Sequence, residues 1–479
     1  MTNTAARGAP PSSETVLREL LVAVRASGCR AWLVGGTVRD RYMGRECADL
    51  DVVLEEESAG FVRDLATQLA STLRTPHFTL SSDFGGERIV WWGGHLDLSP
   101  LRGRCIEEDL ALRDFTVNAV ALPLEGGPPC DPFGGIDDIA RRRLVAVRDT
   151  TFRADPVRLL RVVRFAQTHV LAIDPNTAAL ARRDAHLLHG AAPERLRTEV
   201  VATLQAGSSS RATVLWDDLG LLAHLFPEVA ALRGEAQSAE DGGDVYGHTL
   251  DSLDRVDSLL EAPQYVFPDS TDVLLERLQQ NVDGSASRTA VLRLAVLLHN
   301  IATPSARHVD ERGRLSRPDP EGEGALSARA VCARLKCSTA ITGLVAKVVE
   351  EHAWLGRLQD RGQFRTRDEI EYLWGTSPWE PEVIVASVAD QPVGRGPVAD
   401  DGSVSRRMVL ARRLMWRWSE RSRRGVPSLP IRGDELGRLV GVSQGPELGA
   451  LLRLLRLEWE AGELANRDEV VARAIIMRS

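Results

Sequence analysis

AWLVGGTVRDRYMGRECADLDVVLEEE, residues 31–57, is the stretch around which the rest of the chain is organised. Its first four residues are apolar and predict a short buried strand, and Gly35-Gly36 predicts a tight turn. One or two helical turns are expected over residues 37–43, followed by a second strand over residues 49–54. The pattern therefore predicts a strand, a glycine turn, a helix and a second strand.

Two aspartates, Asp49 and Asp51, are one residue apart in the predicted second strand. Because side chains alternate along a strand, both carboxylates are expected on one face, while Leu50 and Val52 point into the core. Neighbouring carboxylates repel each other, and they supply the oxygen ligands that Mg²⁺ prefers. We predict that Asp49 and Asp51 are metal ligands and catalytic residues.

Features suited to phosphate binding precede the two aspartates. Gly35 and Gly36 let a phosphate approach the backbone closely, and the start of a helix offers free N–H groups and a partial positive charge. Arg39 can hold phosphate oxygens through two parallel hydrogen bonds. The stretch is therefore suited to bind a triphosphate together with its metal.

The joined motif G-G-x-x-R-D and D-x-D resembles the signature of the DNA polymerase beta-like nucleotidyltransferases. Within them it is similar to the class II tRNA nucleotidyltransferase and bacterial poly(A) polymerase family. An isolated D-x-D is common in solvated strands and turns, so the resemblance depends on the joined motif. It implies an α/β head, with a mixed sheet and helices, followed by an all-α neck, a degenerate HD-like body and a helical tail.

The length and composition are those of an ordinary globular protein with several domains. A chain of 479 residues exceeds the roughly 250–300 residues over which single cores usually grow. Residues 1–13 lack an apolar signal core, and no long apolar run occurs, so we expect neither export nor a membrane span. The six cysteines form no C-x-x-C pair, which argues against a zinc site or a disulfide framework. The cytoplasm is therefore the expected location.

The distribution of charge is more informative than its sum. The net charge of −8 is not typical of a nucleic-acid-binding protein. However, Lys336 and Lys347 are the only lysines among 59 basic residues, and arginine is the better residue for forked phosphate contacts. The arginines cluster in residues 141–143, 153–164 and 406–424, which are candidates for phosphate contact.

A predicted hairpin supplies a third carboxylate. Residues 87–98 alternate and are rich in aromatic residues, which predicts two strands with Asp97 late in the second. The family resemblance implies that a strand in this place passes beside the metal site. Asp97 is therefore predicted to be a third carboxylate or a general base, and the alternative is an acidic residue at a solvated strand end.

R-D-F-T-x-N-A, within residues 107–122, resembles a family motif whose arginine contacts nucleotide phosphate. Arg113 takes that position here, and the resemblance implies that Asp114 and Asn118 brace the surrounding loop. The family often has a second basic residue just before this arginine, where this chain has Leu112. Arg113 is therefore predicted to bind the triphosphate.

FRADPVRLLRVVRFA, residues 152–166, carries a predicted base-reading pair. Asp155 and Arg158 have the spacing of residues that share one face of a helix, with Arg161 and Arg164 nearby. A carboxylate accepts a hydrogen bond from the exocyclic amine of cytosine or adenine, and an arginine donates to their ring acceptors. Uracil and guanine present the opposite polarity, so the pair suits CTP and ATP.

The same segment resembles the family's E-D-x-x-R protein template, which selects CTP and ATP without a nucleic-acid template. Ala154 stands in place of the first acidic residue. This substitution puts in question how well the site switches from binding CTP to binding ATP. The alternative interpretation is an amphipathic helix with an ordinary salt bridge.

The chain beyond this segment resembles the family more diffusely. Residues 192–204 and 217–229 resemble its helical neck, and the following region resembles an HD metal-dependent phosphohydrolase domain. His248 and His299 are possible ligands there, but Asn300 stands where an aspartate is expected. Because asparagine carries no charge to hold a hard cation, we expect a degenerate HD-like body that carries RNA.

The C-terminal region, residues 362–479, is predicted to be helical and to bind tRNA. Eight arginines in residues 406–424 surround Trp416 and Trp418, which suits phosphate contact and stacking on a base. The alternative is a solvated basic helix with half-buried tryptophans. Residues 429–455 resemble a family segment in which a Gly-Pro turn opens a helix that can seat a phosphate.

These interpretations combine into one predicted organisation and function. We predict a disordered tail over residues 1–14, a nucleotidyltransferase head over 15–150, a neck over 151–232, the HD-like body over 233–361 and the C-terminal region over 362–479. The resemblance implies a template-independent enzyme that uses CTP, ATP and Mg²⁺ to add CMP, AMP or both to the 3′ end of tRNA. No protein partner is implied.

Three other functions remain open from the sequence. A poly(A) polymerase would share the same head, but the chain is acidic and lacks a long basic tail. An RNA-binding protein with an inactive head is disfavoured by the intact aspartate pair. An HD phosphohydrolase is disfavoured by Asn300.

Overall fold

The chain forms two compact units in the computed structural model. The described residues are 11–55, 58, 60–81, 85–235, 243–302, 308–309, 315–316, 320–360, 364–390 and 403–478. The first unit is Met1–Ala191 with Leu219–Leu221, and the second is Ala192–Asp218 with Leu222–Ser479. The finer division into head, neck, body and tail stays a prediction.

The first unit contains a mixed six-stranded sheet with helices. The strands of this sheet are β1 (Ala31–Val34), β2 (Asp49–Leu54), β3 (His77–Ser81), β4 (Gly86–Trp91), β5 (Gly94–Pro100) and β6 (Ala121–Pro123). The helices are α1 (Ser13–Ser27), α2 (Gly35–Tyr42), α3 (Phe61–Leu73), α4 (Ile106–Ala111), α5 (Gly135–Ala140), α6 (Thr151–Ala154), α7 (Arg158–Thr168) and α8 (Pro175–Asp184). Smaller elements are the pair β7 (Arg143–Leu144) and β8 (Ala172–Ile173) and the 3₁₀ helices Thr116–Asn118 and Ala185–Gly190.

The order of the strands places the two predicted catalytic strands side by side. The order is β3-β4-β5-β2-β1-β6, and β2 pairs with β5 in parallel, while the other neighbours are antiparallel. Leu50 and Val52 of β2 lie in one hydrophobic core with residues of α1 and α3, as the alternation predicted. Asp49 and Asp51 are on the opposite face of β2, where their carboxylates are available for the predicted metal.

Helix α1 begins inside the predicted tail. The hydroxyl of Ser12 accepts a hydrogen bond from the backbone N–H of Thr15, which caps the helix and fixes its start at Ser13. Val16, Leu20 and Val24 recur every four residues and are fully buried, so the helix packs along one side. The prediction of a disordered tail was therefore wrong for residues 13 and 14, and residues 1–10 lie outside the described part.

The glycine pair also differs from its prediction. Helix α2 begins at Gly35 itself, so Gly35-Gly36 forms the first turn of the helix rather than a separate turn before it. Gly35 has a φ of +62°, a conformation that side chains other than hydrogen rarely adopt. The glycine therefore allows the helix to start immediately after the buried strand β1.

The second unit is largely helical. Its helices are α9 (Pro193–Ala206), α10 (Ser209–Asp218), α11 (Leu222–Leu225), α12 (Pro227–Ala230), α13 (Val245–Glu261), α14 (Thr271–Gln279), α15 (Arg288–Leu298), α16 (Pro320–Arg334), α17 (Thr339–Glu351), α18 (Trp354–Asp360), α19 (Thr366–Thr376), α20 (Glu380–Ala389), α21 (Ser403–Arg424), α22 (Gly433–Val440), α23 (Pro446–Glu460) and α24 (Arg467–Arg478). Short elements are the strands β9 (His308–Val309) and β10 (Leu315–Ser316) and the 3₁₀ helices Pro263–Tyr265 and Pro268–Ser270. The predicted fold class, a mixed sheet with helices followed by a helical remainder, is confirmed.

Within the described ranges, no helix combines the length and the apolar character that crossing a membrane requires.

Candidate active site

Three aspartates lie on one face of the sheet in the first unit. Asp49 and Asp51 are on β2, and Asp97 is on the parallel neighbour β5, where it lies directly opposite Asp51. Side chains that alternate with them, such as Leu96 and Leu98, are buried in the core on the other face. The structure therefore brings the third predicted carboxylate beside the pair, although Asp97 is the middle residue of β5 and not a late one.

The electrostatic environment of Asp51 favours a bound cation. Burial raises the pKa of the Asp51 carboxyl, and the neighbouring charge of Asp97 raises it further, against the opposing effects of Arg113 and a hydrogen bond from the Gly36 N–H. An ionised carboxylate in this position is therefore destabilised in the protein alone. A divalent cation beside Asp51 would remove that penalty.

Asp97 forms an ion pair with Arg88, an arginine of the same unit. Arg88 donates two hydrogen bonds to Asp97, from Nε to Oδ1 and from Nη2 to Oδ2, each 2.6 Å long. His95 bridges the ends of the row, because its Nδ1 is 2.7 Å from Asp49 Oδ1 and its Nε2 is 3.7 Å from Asp97 Oδ2. The role of Asp97 as a third metal ligand or a general base stays a prediction, and either role would have to share the carboxylate with Arg88.

Thr37 fixes the position of β2 relative to α2. Its hydroxyl donates to the carbonyl oxygen of Asp49 at 3.1 Å and accepts from the N–H of Asp51 at 2.7 Å. Thr37 is buried, so these bonds are shielded from water. A residue inside the glycine motif thereby sets the backbone of both predicted catalytic aspartates.

A cleft of about 370 Å³ adjoins Asp51. Its basic lining consists of six arginines, Arg39, Arg102, Arg113, Arg158, Arg161 and Arg164. The remaining lining residues are Gly35, Gly36, Asp51, Leu112, Asp114, Asn118 and Phe165. All of the predicted nucleotide-binding residues except Asp155 therefore line one cleft that ends at a predicted catalytic carboxylate.

Gly35 makes room where Asp51 and Arg113 meet. A Cβ at Gly35 would lie 3.0 Å from Arg113 Nη1 and 3.0 Å from Asp51 Oδ2, which is tighter than ordinary contacts. The positive φ of Gly35 disfavours any side chain there as well. The glycine thus brings the start of α2 against both a carboxylate and a guanidinium.

A buried carboxylate, Asp109, orients two arginines of the cleft. Its Oδ1 accepts from Arg102 Nε at 2.8 Å, and its Oδ2 accepts from Arg113 Nε at 3.1 Å and Nη2 at 3.0 Å. Arg102 was missed by the sequence interpretation, because it stands in a loop outside the quoted motifs. Asp109 itself, fully buried in α4, gives the arginine of the R-D-F-T-x-N-A motif its direction.

We expect Asp109→Asn to lower both stability and triphosphate affinity. Burial alone would raise the pKa of Asp109, but hydrogen bonds and charges from Arg102 and Arg113 hold it below the ordinary value. This carboxylate therefore stabilises the fold at pH values above about 4, and its contribution is lost as the pH falls through the lowered pKa. Melting curves at pH 7 should show a loss of about 3 kcal/mol, the usual cost of removing one partner from a buried ion pair.

The same variant should raise KM for the nucleoside triphosphate, since Arg102 and Arg113 lose their common anchor. Glu108→Gln is a matched control, because Glu108 pairs with Arg104 at the exposed surface of the same helix. Unchanged stability in Asp109→Asn, or equal effects in both variants, would contradict this account.

The guanidinium of Arg39 is held at the wall of the cleft by the next residue in the chain, Asp40. Its Nε and Nη2 each donate to Asp40 at 2.9 Å, and its Nη1 donates to Asn118 Oδ1 at 2.8 Å. The bidentate edge that was predicted to hold phosphate is thus occupied by Asp40. Phosphate binding by Arg39 stays a prediction, and in this geometry it would use the remaining N–H groups.

Asp114 and Asn118 brace the loop as the family resemblance implies. Asp114 Oδ1 accepts from the N–H of Phe115 at 2.8 Å and from the Asn118 amide at 2.9 Å. Its Oδ2 is 3.0 Å from Arg161 Nη2. Burial alone would raise the pKa of Asp114, but the charge of Arg161 leads the effects that lower it below its usual range.

Arg158 shapes the loop that contains Arg113. Its Nη2 donates to the carbonyl oxygen of Leu112 at 2.7 Å, and its Nη1 donates to those of Arg113 at 3.3 Å and Thr151 at 3.4 Å. Burial is the main cause that lowers the pKa of Arg158. The guanidinium therefore lines the cleft with part of its hydrogen-bonding capacity used by the loop.

Asp155 and Arg158 do not share a helix, so that part of the prediction was wrong. Helix α6 ends at Ala154, Asp155 is extended with φ −153° and ψ 102°, and α7 begins at Arg158. The cause is Pro156, because a residue that precedes proline is disfavoured in the helical region. Asp155 still lies near its predicted partner, with its Oδ2 4.0 Å from Arg158 Nε.

Arg161 and Arg164 lie over the ring of Phe165. Their guanidinium carbons are 5.3 Å and 4.7 Å from the ring centroid, and that of Arg39 is 5.2 Å away. Aromatic rings attract cations held over their faces. The ring thereby assembles three arginines of the cleft from two different helices.

The chain is similar in sequence to known proteins over most of its length. A family model described as "Poly A polymerase head domain" matches residues 31–105 and 101–145, and one described as "Probable RNA and SrmB- binding site of polymerase A" matches residues 171–232. The A-adding tRNA nucleotidyltransferase of Deinococcus radiodurans is 31% identical over 454 residues, which cover 94% of this chain and 95% of that protein. The chain belongs to the tRNA nucleotidyltransferase family.

Other members of the tRNA nucleotidyltransferase family are also similar over nearly their full length. The CC-adding tRNA nucleotidyltransferase of Thermus thermophilus is 30% identical over 455 residues, or 93% of each chain. The fold matches that of the Thermotoga maritima CCA-adding enzyme, solved in complex with tRNA, with a TM-score of 0.63 and 18% identity over 98% of this chain and 97% of that one. The resemblance predicted from the sequence is therefore confirmed. The protein is a nucleotidyltransferase, and this family implies dependence on a divalent metal.

This tRNA nucleotidyltransferase carries a separate polar cluster in its second unit. His248 Nε2 is 2.8 Å and His299 Nε2 is 3.1 Å from Asp390 Oδ1, and His352 Nε2 is 3.8 Å from Asp390 Oδ2. Possible ligand atoms of His248, His299 and Asp390 all lie within 4.8 Å of one another. The sequence interpretation found the two histidines but missed Asp390, which lies far from them along the chain.

The histidines of this cluster stabilise the charged form of the Asp390 carboxylate. Burial alone would raise the pKa of Asp390, but hydrogen bonds from His248 and His299 hold it well below the usual range. The amide nitrogen of Asn300 is 2.7 Å from His299 Nε2, where the HD pattern would place an acid. Among the described residues, the cluster therefore combines three histidines with the carboxylate of Asp390.

We expect no metal-dependent phosphodiesterase activity from this cluster. In the described part of this cluster, Asp390 and the neutral Asn300 supply less negative charge than hard divalent cations need. Hydrolysis of a phosphodiester substrate with added Ni²⁺, Mn²⁺ or Mg²⁺ should stay at background. A metal-dependent rate that His299→Ala abolishes would contradict this prediction.

The basic helix α21 is engaged within the second unit. Arg413 and Arg417 both pair with the buried carboxylate of Glu369. Trp418 is 6% exposed and packs in the core, whereas Trp416 is 45% exposed. Contact of this helix with RNA stays a prediction, and stacking on a base is open to Trp416 but not to Trp418 in this conformation.

A second cleft, of about 750 Å³, lies beside the same helix. Its lining includes Arg421, Arg453, Arg456 and Trp374. Guanidinium groups beside an indole suit a phosphate next to a base or sugar. Glu460 also lines this cleft and accepts a hydrogen bond from the Trp374 indole at 3.3 Å, and binding of tRNA there stays a prediction.

Proposed function

We propose that this protein transfers CMP, AMP or both from CTP and ATP to the 3′ end of tRNA, without a nucleic-acid template. The observation that carries the proposal is the cleft in which six arginines converge beside Asp51. Arginines hold phosphate oxygens bidentately, and carboxylates supply metal ligands, so the cleft fits a metal-bound triphosphate. A poly(A) polymerase would use the same cleft, and the products distinguish the two.

Mg²⁺ is the proposed metal, held by Asp49 and Asp51. The fit rests on the carboxylate row itself, since the pKa of Asp51 is raised by burial and by Asp97 and an oxygen-seeking cation relieves both effects. When bound, two such ions would lower the pKa of the attacking hydroxyl and neutralise charge on the departing pyrophosphate. Arg113 and Arg102, directed by Asp109, would hold the triphosphate oxygens.

Selection of the base is proposed to rest on Asp155 and Arg158. Arg158 lines the cleft and Asp155 lies within 4.0 Å of it, so a carboxylate and a guanidinium stand together beside the nucleotide site. Cytosine and adenine each present one amine donor and a ring acceptor on the edge that such a pair can read. Uracil and guanine would leave groups unpaired.

Which of the two nucleotides is added is not decided by similarity. The A-adding relative and the CC-adding relative named above match this chain with 31% and 30% identity over nearly its whole length. Ala154 replaces the first acidic residue of the family template, and this departure concerns the step from C to A. We therefore propose addition of C, A or both, and the three acceptors described next distinguish these outcomes.

The deciding experiment uses three acceptors. A tRNA without CCA, a tRNA ending in C and a tRNA ending in CC are each incubated with one labelled nucleoside triphosphate and Mg²⁺. We expect short products that contain only C, only A or both, depending on the acceptor. Long A tails would favour a poly(A) polymerase, and no incorporation into any acceptor would contradict the proposal.

We also propose the cytoplasm as the location. None of the six cysteines forms a disulfide, and Cys29 and Cys332 are buried. Free thiols persist in a reducing compartment, whereas exported proteins commonly carry disulfides.

A further inference from the structure

An exposed aromatic surface continues the face of the sheet that carries the three aspartates. Phe78 of β3 is 50% exposed, and it lies directly opposite Arg88 of β4. Arg88 in turn lies directly opposite Asp97 and forms an ion pair with it. Because cross-strand neighbours share a face, Phe78 is on the side of the sheet occupied by Asp97 and Asp51.

Trp92 adds a second exposed ring to this region. It lies in the turn between β4 and β5 and is 88% exposed. Arg88 and Val90 lie on the aspartate face of β4, and Trp92 is the first residue beyond this strand, in the turn that leads to β5. An indole that is 88% exposed contributes little to packing, so its ring is available to stack on a base.

The turn that carries Trp92 is fixed close to Asp49. Trp91 is buried in the core, and a Cβ at Gly94 would lie 2.3 Å from the carbonyl oxygen of Ala48. This close approach joins the turn to the residue immediately before Asp49. The exposed indole is therefore anchored at the end of the sheet where the carboxylate row begins.

The aromatic rings and the arginine-lined cleft lie on opposite sides of the carboxylates. In the order β3-β4-β5-β2-β1-β6, the cleft glycines follow β1, whereas Phe78 is on β3 and Trp92 adjoins β4. In phosphoryl transfer the attacking and leaving oxygens are roughly in line through the phosphorus. With the triphosphate in the cleft, the attacking 3′-hydroxyl must come from the side of β5 and β4.

We propose that Phe78 and Trp92 stack on the last bases of the RNA strand whose 3′ end is extended. The inference rests on the proposed function, because it assigns the acceptor side of the same reaction. Phe78 is two strand spacings, about 10 Å, from Asp97, a distance that terminal nucleotides of a single strand span. Stacking of bases on aromatic residues of an open sheet face is sequence-tolerant, so it suits an acceptor end that changes with each added nucleotide.

The test combines a binding signal with kinetics. A tRNA that ends in 2-aminopurine, an adenine analogue whose fluorescence is quenched by stacking, is titrated with the wild type and with Trp92→Ala, Phe78→Ala and Trp92→Phe. We expect quenching by the wild type and by Trp92→Phe, and its loss in the two alanine variants. KM for tRNA should rise about tenfold in Trp92→Ala, the size of one lost base stack, while KM for CTP and ATP stays unchanged.

Val22→Ala is the control, since Val22 is a 61% exposed apolar residue of α1, which packs on the core side of the sheet away from the aspartates. It should behave as the wild type in both measurements. Wild-type quenching and wild-type KM for tRNA in both alanine variants would overturn the inference. Failure of the proposed function is distinguishable, because it would show as absent incorporation by the wild type itself, whereas the quenching signal needs no catalysis.

Discussion

Asp51→Asn is expected to abolish nucleotide incorporation and, at the same time, to raise the melting temperature of the metal-free protein. The loss should reach about a thousandfold or more, or roughly 4 kcal/mol of transition-state stabilisation, because the variant lacks a charge that holds the catalytic metals. The gain in stability follows from the raised pKa of Asp51, which shows that the fold prefers this side chain uncharged. Incorporation into tRNA and thermal melting in a chelator measure the two effects.

The sign of the stability effect depends on pH. A carboxyl whose pKa is raised by folding destabilises the folded state once it ionises, so the penalty is absent well below its unfolded pKa of about 3.8 and complete above the raised value. The higher melting temperature of Asp51→Asn relative to the wild type should therefore be present at pH 7 and vanish in acid. Added Mg²⁺ should stabilise the wild type and have less effect on the variant.

Asp64→Asn provides the control, because Asp64 is an exposed carboxylate of α3 in the same unit. It should leave incorporation intact. Substantial turnover by Asp51→Asn would remove this carboxylate from the proposed mechanism. A lower melting temperature than the wild type in chelator would show that Asp51 supports the fold and not only the metal.

Local patterns in the sequence were sufficient to place the catalytic strand and its neighbours. The bounds of β1 and β2 were predicted to the residue, because buried strands have a short period that the sequence displays directly. The same alternation correctly assigned Leu50 and Val52 to the core. It also placed the aspartates on the opposite face.

The errors arose where one residue overrides a pattern. Spacing alone suggested a helix through Asp155 and Arg158, but Pro156 forces Asp155 into an extended conformation. That signal was present in the sequence and was outweighed by the periodicity. The pair Gly35-Gly36 predicted a separate turn. In the structure, Gly35 is the first residue of α2, and it has a positive φ.

Other features depend on contacts between distant segments and have no local signal. Asp390 joins His248 and His299 from 142 and 91 residues away. The engagement of α21 arginines by Glu369 is a similar case, since a run of arginines looks the same whether its partners are phosphates or buried glutamates. Such pairings are set by packing, which charge patterns do not display.

Arg158→Ala is expected to relax the choice of nucleotide and not merely to slow the enzyme. If the guanidinium donates to the ring acceptors of cytosine and adenine while Asp155 accepts from their amines, its removal takes away one side of the recognition. Preference for CTP and ATP over UTP and GTP should fall by about 1–3 kcal/mol, or roughly ten- to a hundredfold. Measurement of kcat/KM for the four nucleotides on a tRNA without CCA tests this directly.

The structure sharpens the competing explanation for such a variant. Arg158 also donates to the carbonyl oxygens of Leu112, Arg113 and Thr151, so Arg158→Ala can loosen the loop that directs Arg113. Loosening would weaken binding of the triphosphate, which all four nucleotides share, and would lower every kcat/KM by a similar factor. A change in selectivity and a uniform loss therefore separate base reading from loop support.

A matched arginine outside the cleft completes the comparison. Arg153 pairs with Asp184 and is not among the residues that line the cleft, although it lies in the same segment. Arg153→Ala should change neither selectivity nor KM, and its melting temperature calibrates the effect of losing one arginine there. A uniform drop in Arg158→Ala with unchanged selectivity would sink the base-reading role of the pair while leaving the nucleotidyltransferase site intact, because Asp51 and Arg113 act on groups that every nucleotide shares.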